Sequence, residues 1–264
     1  MPRKHCSRRK GRILKSKIQI YSSCNFKITT MATEKSYGQG LPSHTPRVSI
    51  NPLIEFMSAS DRRKLRIVKD QKFPSTIRVA PYSIARYAIR NFVKDDFDYH
   101  RLISAIEKLQ DRDQSTQWRR QDTSNSIIAL RHFMDMNFPT QMSRIKCTFA
   151  KYVIRDCYMN DVLVTISPDL IMKWEIDGIK YIGAVKFRLS QKPIEYSSGR
   201  NAAALLAHYL ETSIAQSDEV VDNKHCLFVD VFAENVIPAP QDKSLSIKEI
   251  SKACDEYSKL WRAA

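Results

Sequence analysis

The spacing of apolar residues changes at Pro139, and this change constrains the fold more than any other feature of the chain. Before Pro139, apolar residues recur at intervals of three and four, which is typical of helices that bury one face. After Pro139 they alternate with polar residues, as in strands. The sequence therefore predicts an α+β protein, with a helical domain at residues 45–140 and a mixed sheet flanked by helices at residues 141–264.

Helix boundaries in the first part follow from residues that cap or open helices. Ser60 and Asp61 are placed to begin a helix over residues 62–72. Pro81 opens the next helix, because proline is favoured in the first turn. Asp98 can cap a third helix, and a fourth ends before Pro139.

Strands and turns in the second part follow from alternation and from turn residues. Asp177-Gly178 is typical of a two-residue hairpin turn, and Ser246 and Glu249 have the spacing of a capping box that begins a final helix. A loop is predicted at residues 38–51 and a helix at residues 198–214. The predicted strands are residues 145–149, 162–166, 170–174, 180–189 and 226–232.

The net charge of +15 is unevenly distributed. Residues 1–30 contain nine Lys and Arg and no acid, residues 31–140 contain eighteen against twelve, and residues 141–264 contain sixteen of each. Positive charge draws nucleic acid through the phosphate backbone. We therefore expect a nucleic acid, DNA above all, to be attracted by the first half of the chain, with a protein partner as a further expectation.

The first 44 residues are expected to form a disordered basic arm. Three interpretations stay open: a nucleic-acid-binding tail, an organelle presequence, or a translated leader that precedes a true start at Met31. Met31 begins a segment, Met-Ala-Thr-Glu-Lys, that is typical of an ordinary N-terminus.

Five cations are candidates for phosphate contacts. Arg86, Arg90 and Lys94 recur every four residues and so form one stripe along a helix. Lys192 and Arg200 flank the start of the helix predicted after the hairpin. A solvated polar face is the alternative interpretation of such a stripe.

Several classes of protein are disfavoured by motifs that the sequence lacks. The six cysteines include no CxxC pair, and the six histidines show no HxH or HExxH spacing, so a zinc ribbon, a disulfide scaffold and a histidine zinc site are poorly supported. No apolar run reaches the roughly 18 residues of a membrane span. A cytoplasmic protein without a membrane partner is the expectation.

Asp169 and Lys186 are the residues that point to catalytic chemistry. Asp169 ends one predicted strand. On the next strand, Lys186 shares a face with Ile182 and Ala184, because successive side chains point to opposite sides of a strand. A Mg²⁺-dependent nuclease needs oxygen ligands for the metal and a cation near the attacked phosphate. Apolar neighbours on that face are expected to lower the pKa of Lys186.

The stretch from Pro168-Asp169 to Lys186 resembles the core of the PD-(D/E)xK nuclease superfamily, in its exonuclease-like branch. The resemblance covers about residues 140–235 and implies a restriction-endonuclease-like sheet. It also implies that Asp169 and the backbone carbonyl of Val185 bind Mg²⁺. Lys186 would orient the attacking water or stabilise the charge that develops on the phosphate.

The sequence departs from this family at Ala184, where the pattern has Asp or Glu. Three interpretations stay open: a catalytically inactive fold kept for binding, a carboxylate supplied from Glu195 or Glu211, or an accidental match. Glu107 is a weaker candidate for an acid contributed by a helix. The expected function is nucleic-acid binding by a nuclease-like domain, either with Mg²⁺-dependent cleavage of DNA or as an inactive module in a nucleic-acid or protein complex.

Overall fold

The computed structural model describes residues 44–74, 80–139, 147–150, 156–192 and 194–264. These ranges all belong to one compact unit, Tyr37–Ala264. They contain seven α-helices and two mixed sheets, which confirms the predicted α+β class. Almost all of the expected basic arm, residues 1–43, lies outside the described residues.

The three helices predicted to begin at Ser60, Pro81 and Asp98 do begin within about two residues of them. A π-helical turn, Leu210–Ile214, extends the sixth helix, and none of the described helices is long and apolar enough to cross a membrane. Asp98 accepts a hydrogen bond from the His100 N–H at 3.0 Å, as expected of a cap. The helices are α1 (Ile50–Met57), α2 (Asp61–Lys72), α3 (Ser83–Lys94), α4 (His100–Gln110), α5 (Gln117–Asp135), α6 (Tyr196–Tyr209) and α7 (Ser244–Ala263).

The strands form a five-stranded sheet, ordered β2-β5-β6-β7-β8, and a three-stranded sheet, ordered β1-β4-β3. The sequence missed β1, β3 and β8. The strand β1 lies in the predicted loop and is held by parallel pairing with β4. Part of the strand predicted at residues 145–149 lies outside the described residues. The strands are β1 (Arg47–Ser49), β2 (Thr148–Phe149), β3 (Tyr158–Met159), β4 (Val162–Thr165), β5 (Leu170–Ile176), β6 (Ile179–Arg188), β7 (Glu219–Asp230) and β8 (Asn235–Pro238).

Each face of the large sheet carries its own apolar core. Val185 and Phe187 of β6 pack with α3, α4 and α5, whereas Ile182 and Ala184 pack with α1, α2, α6 and α7. The alternation of β6 thus sends neighbouring residues to different helices. The helices of residues 45–140 cover both faces of the sheet, and the predicted domain boundary at residue 140 stays a prediction.

The β5–β6 hairpin sets the geometry of the candidate site. Asp177 and Gly178 both have positive φ, at 51° and 78°, as a type I′ turn requires. The predicted hairpin is therefore confirmed. Its register pairs Leu170 with Val185, which places the preceding residue, Asp169, beside Lys186.

The capping box predicted for the final helix is wrong. The helix α7 begins at Ser244, so Ser246 lies inside it, mostly buried. Asp242 instead accepts a hydrogen bond from the Ser244 N–H at 2.9 Å. Glu249 accepts from the Asn201 side chain at 2.9 Å, and it therefore ties α7 to α6.

Gly183 marks a point where β6 and β7 approach closely, and we predict that Gly183→Ala destabilises the fold. The pairing of β6 with β7 shifts register between Ile182 and Ala184. A Cβ on Gly183 would lie 2.7 Å from the His225 carbonyl oxygen. The expected decrease is about 1–3 kcal/mol of unfolding free energy, measured by urea denaturation. Gly178→Asn is the control: nothing lies within 4 Å of that Cβ position, and asparagine tolerates positive φ.

Candidate functional site

Asp169 lies beside Lys186, where the ladder between β5 and β6 ends. Its backbone N–H donates to the Val185 carbonyl at 2.8 Å. Its carboxylate Oδ2 accepts from the Phe187 N–H at 2.9 Å. The side chain of Asp169 thus continues the hydrogen bonding of the sheet beyond the last strand pair. Only 6% of that side chain is exposed.

Arg86 of α3 contributes the strongest contact of the Asp169 carboxylate. Its Nη1 lies 2.9 Å from each carboxylate oxygen. The same nitrogen donates to the Phe187 carbonyl at 2.9 Å. One guanidinium therefore joins α3 to both strands of the hairpin.

Lys186 is the second cation beside Asp169. Its Nζ lies 3.4 Å from Asp169 Oδ2 and donates to the Ser167 carbonyl at 2.6 Å. Burial lowers the pKa of Lys186, Asp169 opposes that change, and the charges of Arg86 and Arg90 lower the pKa further. The predicted direction of the pKa shift is confirmed.

Ala184 shares a face with Lys186 but points into the core. It is fully buried, and its strand partners are Ile171 on β5 and Cys226 on β7. A carboxylate at this position would be surrounded by the apolar residues that pack against α6. The buried methyl group of Ala184 therefore occupies the position at which the PD-(D/E)xK pattern has its second acid.

These residues do not fit a Mg²⁺ ion. Mg²⁺ needs oxygen ligands in near-octahedral geometry, and both oxygens of Asp169 accept from Arg86. The Val185 carbonyl, the other expected ligand, accepts from Asp169. Across the described ranges, no group of three His, Cys, Asp or Glu side chains could hold a metal ion.

Glu195 and Glu211, the acids considered as replacements for position 184, have other partners. Glu195 is exposed before α6, and its carboxylate accepts from Ser197 at 3.4 Å. Glu211 pairs with Lys243 at 2.9 Å. Glu107 is exposed on α4. None of the three makes a hydrogen bond or ion pair with Asp169 or Lys186 in the described structure.

The cations expected to contact phosphate differ in their exposure and in their partners. The Arg86 guanidinium is hydrogen-bonded to Asp169. The Lys94 side chain is exposed, with Nζ 6.0 Å from the centre of the Phe149 ring. Lys192 is 76% exposed and lies 3.6 Å from Glu55. Arg200 is exposed, whereas Arg90 is half-buried. Phosphate contact by these residues stays a prediction.

A second ion pair next to the site was missed at the sequence level. Arg188 Nη1 donates to Asp230 Oδ2 at 3.0 Å, and only 1% of Asp230 is exposed. Burial raises the pKa of Asp230, and the Arg188 charge opposes this. The sequence contained a signal for this pair: Asp230 is the one acid in the strand predicted at residues 226–232, and Arg188 follows Lys186 on the same face of β6.

Comparisons with known proteins assign no family to this chain. No protein-family model matches it, and a search of curated proteins finds no match. The likeness to a nuclease core therefore rests on the positions of Asp169 and Lys186 and on the order of the elements around them.

We predict that Arg86→Met lowers the unfolding free energy by about 3 kcal/mol, because it leaves the buried Asp169 carboxylate without its main partner. Urea denaturation at neutral pH measures this decrease. The control is Arg66→Met, since Arg66 lies 4.0 Å from Asp70 in an exposed pair and such pairs contribute little. Equal effects of the two substitutions would contradict a structural role for Arg86.

Proposed function

We propose that this protein is a nucleic-acid-binding module with a nuclease-like sheet that does not cleave phosphodiester bonds. The observation that supports this proposal is the engagement of both Asp169 oxygens by Arg86 at 2.9 Å. A carboxylate held in this way cannot bind a metal unless Arg86 leaves it. The buried methyl group of Ala184 supports the same conclusion.

Arg86 can neutralise Asp169 but cannot replace the chemistry of a metal. A guanidinium is always charged and forms strong hydrogen bonds with carboxylates. A catalytic metal also lowers the pKa of a bound water and so produces the nucleophile. The ion pair supplies charge balance and position, and it provides no activated water.

The distribution of charge supports nucleic acid as the partner. The described ranges hold 28 of the 43 Lys and Arg residues and 27 of the 28 Asp and Glu residues. The excess positive charge therefore lies almost entirely outside those ranges, above all in residues 1–30. Release of counterions from phosphate would make this segment the main source of affinity.

We predict that the purified protein does not cleave DNA or RNA with Mg²⁺ or Mn²⁺, and that neither metal raises its melting temperature. A metal that binds the folded state must stabilise it, and the residues at Asp169 form no ligand set. Gel assays and thermal denaturation measure these outcomes. Cleavage that disappears in both Asp169→Asn and Lys186→Met would overturn the proposal.

We also predict binding to DNA that weakens steeply with salt. Replacing Arg8, Arg9 and Lys10 by Gln should reduce the slope of log affinity against log salt by about 0.9 for each phosphate that is no longer neutralised. Fluorescence anisotropy at several salt concentrations measures the slope. Replacing the exposed lysines Lys252 and Lys259 of α7 by Gln is the control and should leave it unchanged. If the wild-type protein binds no DNA even at low salt, the partner is a protein.

A further inference from the structure

The Nε–H group of Arg90 is a hydrogen-bond donor that has no acceptor among the described residues. The residue is half-buried on α3, and its Nε is shielded from solvent without a hydrogen-bond partner. A buried N–H without an acceptor costs about 1–3 kcal/mol. This position therefore favours any group that brings an acceptor to it.

The positive charges around Arg90 also favour the binding of an anion. Arg90 lies one helical turn after Arg86 on α3. Besides burial, the repulsion from Arg86 and Arg90 lowers the pKa of Lys186, which indicates that the three cations act on one another. Of these three cations, Arg86 and Lys186 pair with the Asp169 carboxylate. Positive charge in a partly desolvated place attracts an anion more strongly than it would in water.

Two buried carboxylates at this end of the sheet already have cationic partners. Asp169 accepts from Arg86 and Phe187. Asp230 at the neighbouring strand end pairs with Arg188 at 3.0 Å through Oδ2, whereas its buried Oδ1 has no partner among the described residues. Neither carboxylate hydrogen-bonds to Arg90 within the described residues, so an acceptor from a bound molecule would satisfy the Arg90 Nε.

We propose that Arg90 is the anchor of a phosphate-binding site and that it takes one phosphate group of a nucleic acid. The planar guanidinium has donors spaced to match two phosphate oxygens. Lys94, one turn further along α3, is exposed and supplies a second cation.

A nucleic acid suits this place better than a free phosphate ion. The Phe149 ring lies beside Lys94, with 6.0 Å between Nζ and the ring centre. Aromatic rings next to phosphate-binding cations are surfaces on which bases stack. This inference rests on the proposed function, because it names the group on the nucleic acid that the fold contacts.

The test compares full-length wild-type protein with Arg90→Gln and Arg62→Gln. Arg62 is an exposed arginine on α2, which packs on the opposite face of the sheet, so the control makes the same charge change elsewhere. The probes are two oligonucleotides of one sequence, with and without a 5′-phosphate. Binding is measured by anisotropy, and inorganic phosphate is added separately in thermal denaturation.

We expect Arg90→Gln to weaken oligonucleotide binding about tenfold, since a hydrogen bond to a charged group contributes about 1.5–3 kcal/mol, and Arg62→Gln to change it little. Weakening confined to the 5′-phosphorylated probe identifies a terminal phosphate. Equal weakening for both probes identifies an internal phosphodiester. If Arg90→Gln and Arg62→Gln bind the oligonucleotides equally well, the proposed phosphate-binding site at Arg90 is refuted.

The site and the proposed function can fail separately. If wild type binds neither oligonucleotide, inorganic phosphate still tests the site: a rise in melting temperature that Arg90→Gln abolishes supports it, and no rise overturns it. Arg90→Gln should also melt at or above the wild-type temperature without ligand, because it removes a buried donor that has no partner. A clear fall in that temperature would mean that Arg90 has a structural partner, which would overturn the proposal.

Discussion

The carboxylate of Asp169 is the point at which three elements of this protein meet. It accepts from Arg86 of α3 and from the Phe187 N–H of β6, and it lies 3.4 Å from Lys186 Nζ. A buried carboxylate is tolerated only when its oxygens are paired and hydrogen-bonded. The position of α3 on the sheet and the end of the β5–β6 ladder therefore depend on one another through this group.

The same interactions are the basis of our proposal that the protein binds nucleic acid without cleaving it. Arg86 supplies positive charge to Asp169, and position 184 carries a buried methyl group where the PD-(D/E)xK pattern would need an acid. Arg90 lies one helical turn after Arg86 on α3, and its Nε has no acceptor among the described residues. We infer that a phosphate group, rather than a metal ion, satisfies this end of the sheet.

Much of the secondary structure could be predicted because it depends on local sequence. The Asp177-Gly178 turn requires positive φ at both residues, and the starts of α2, α3 and α4 lie close to residues that cap or open helices. The strands β1, β3 and β8 were not predicted, since each is short, and β1 is in addition held by a distant partner, β4. The start of α7 was misplaced because Asp242, rather than Ser246, satisfies the first backbone donor.

The sequence by itself determined that Asp169 and Lys186 come together: a two-residue turn and the alternation of side chains leave the paired strands no other register. It also determined that Ala184 shares the face of Lys186. Only the tertiary structure decided that Arg86, 83 residues before Asp169, pairs with the carboxylate and that the Arg90 Nε has no acceptor in the part of the chain that the structure describes. Periodicity specifies which residues share a face of one element, whereas the packing of elements decides which charges meet.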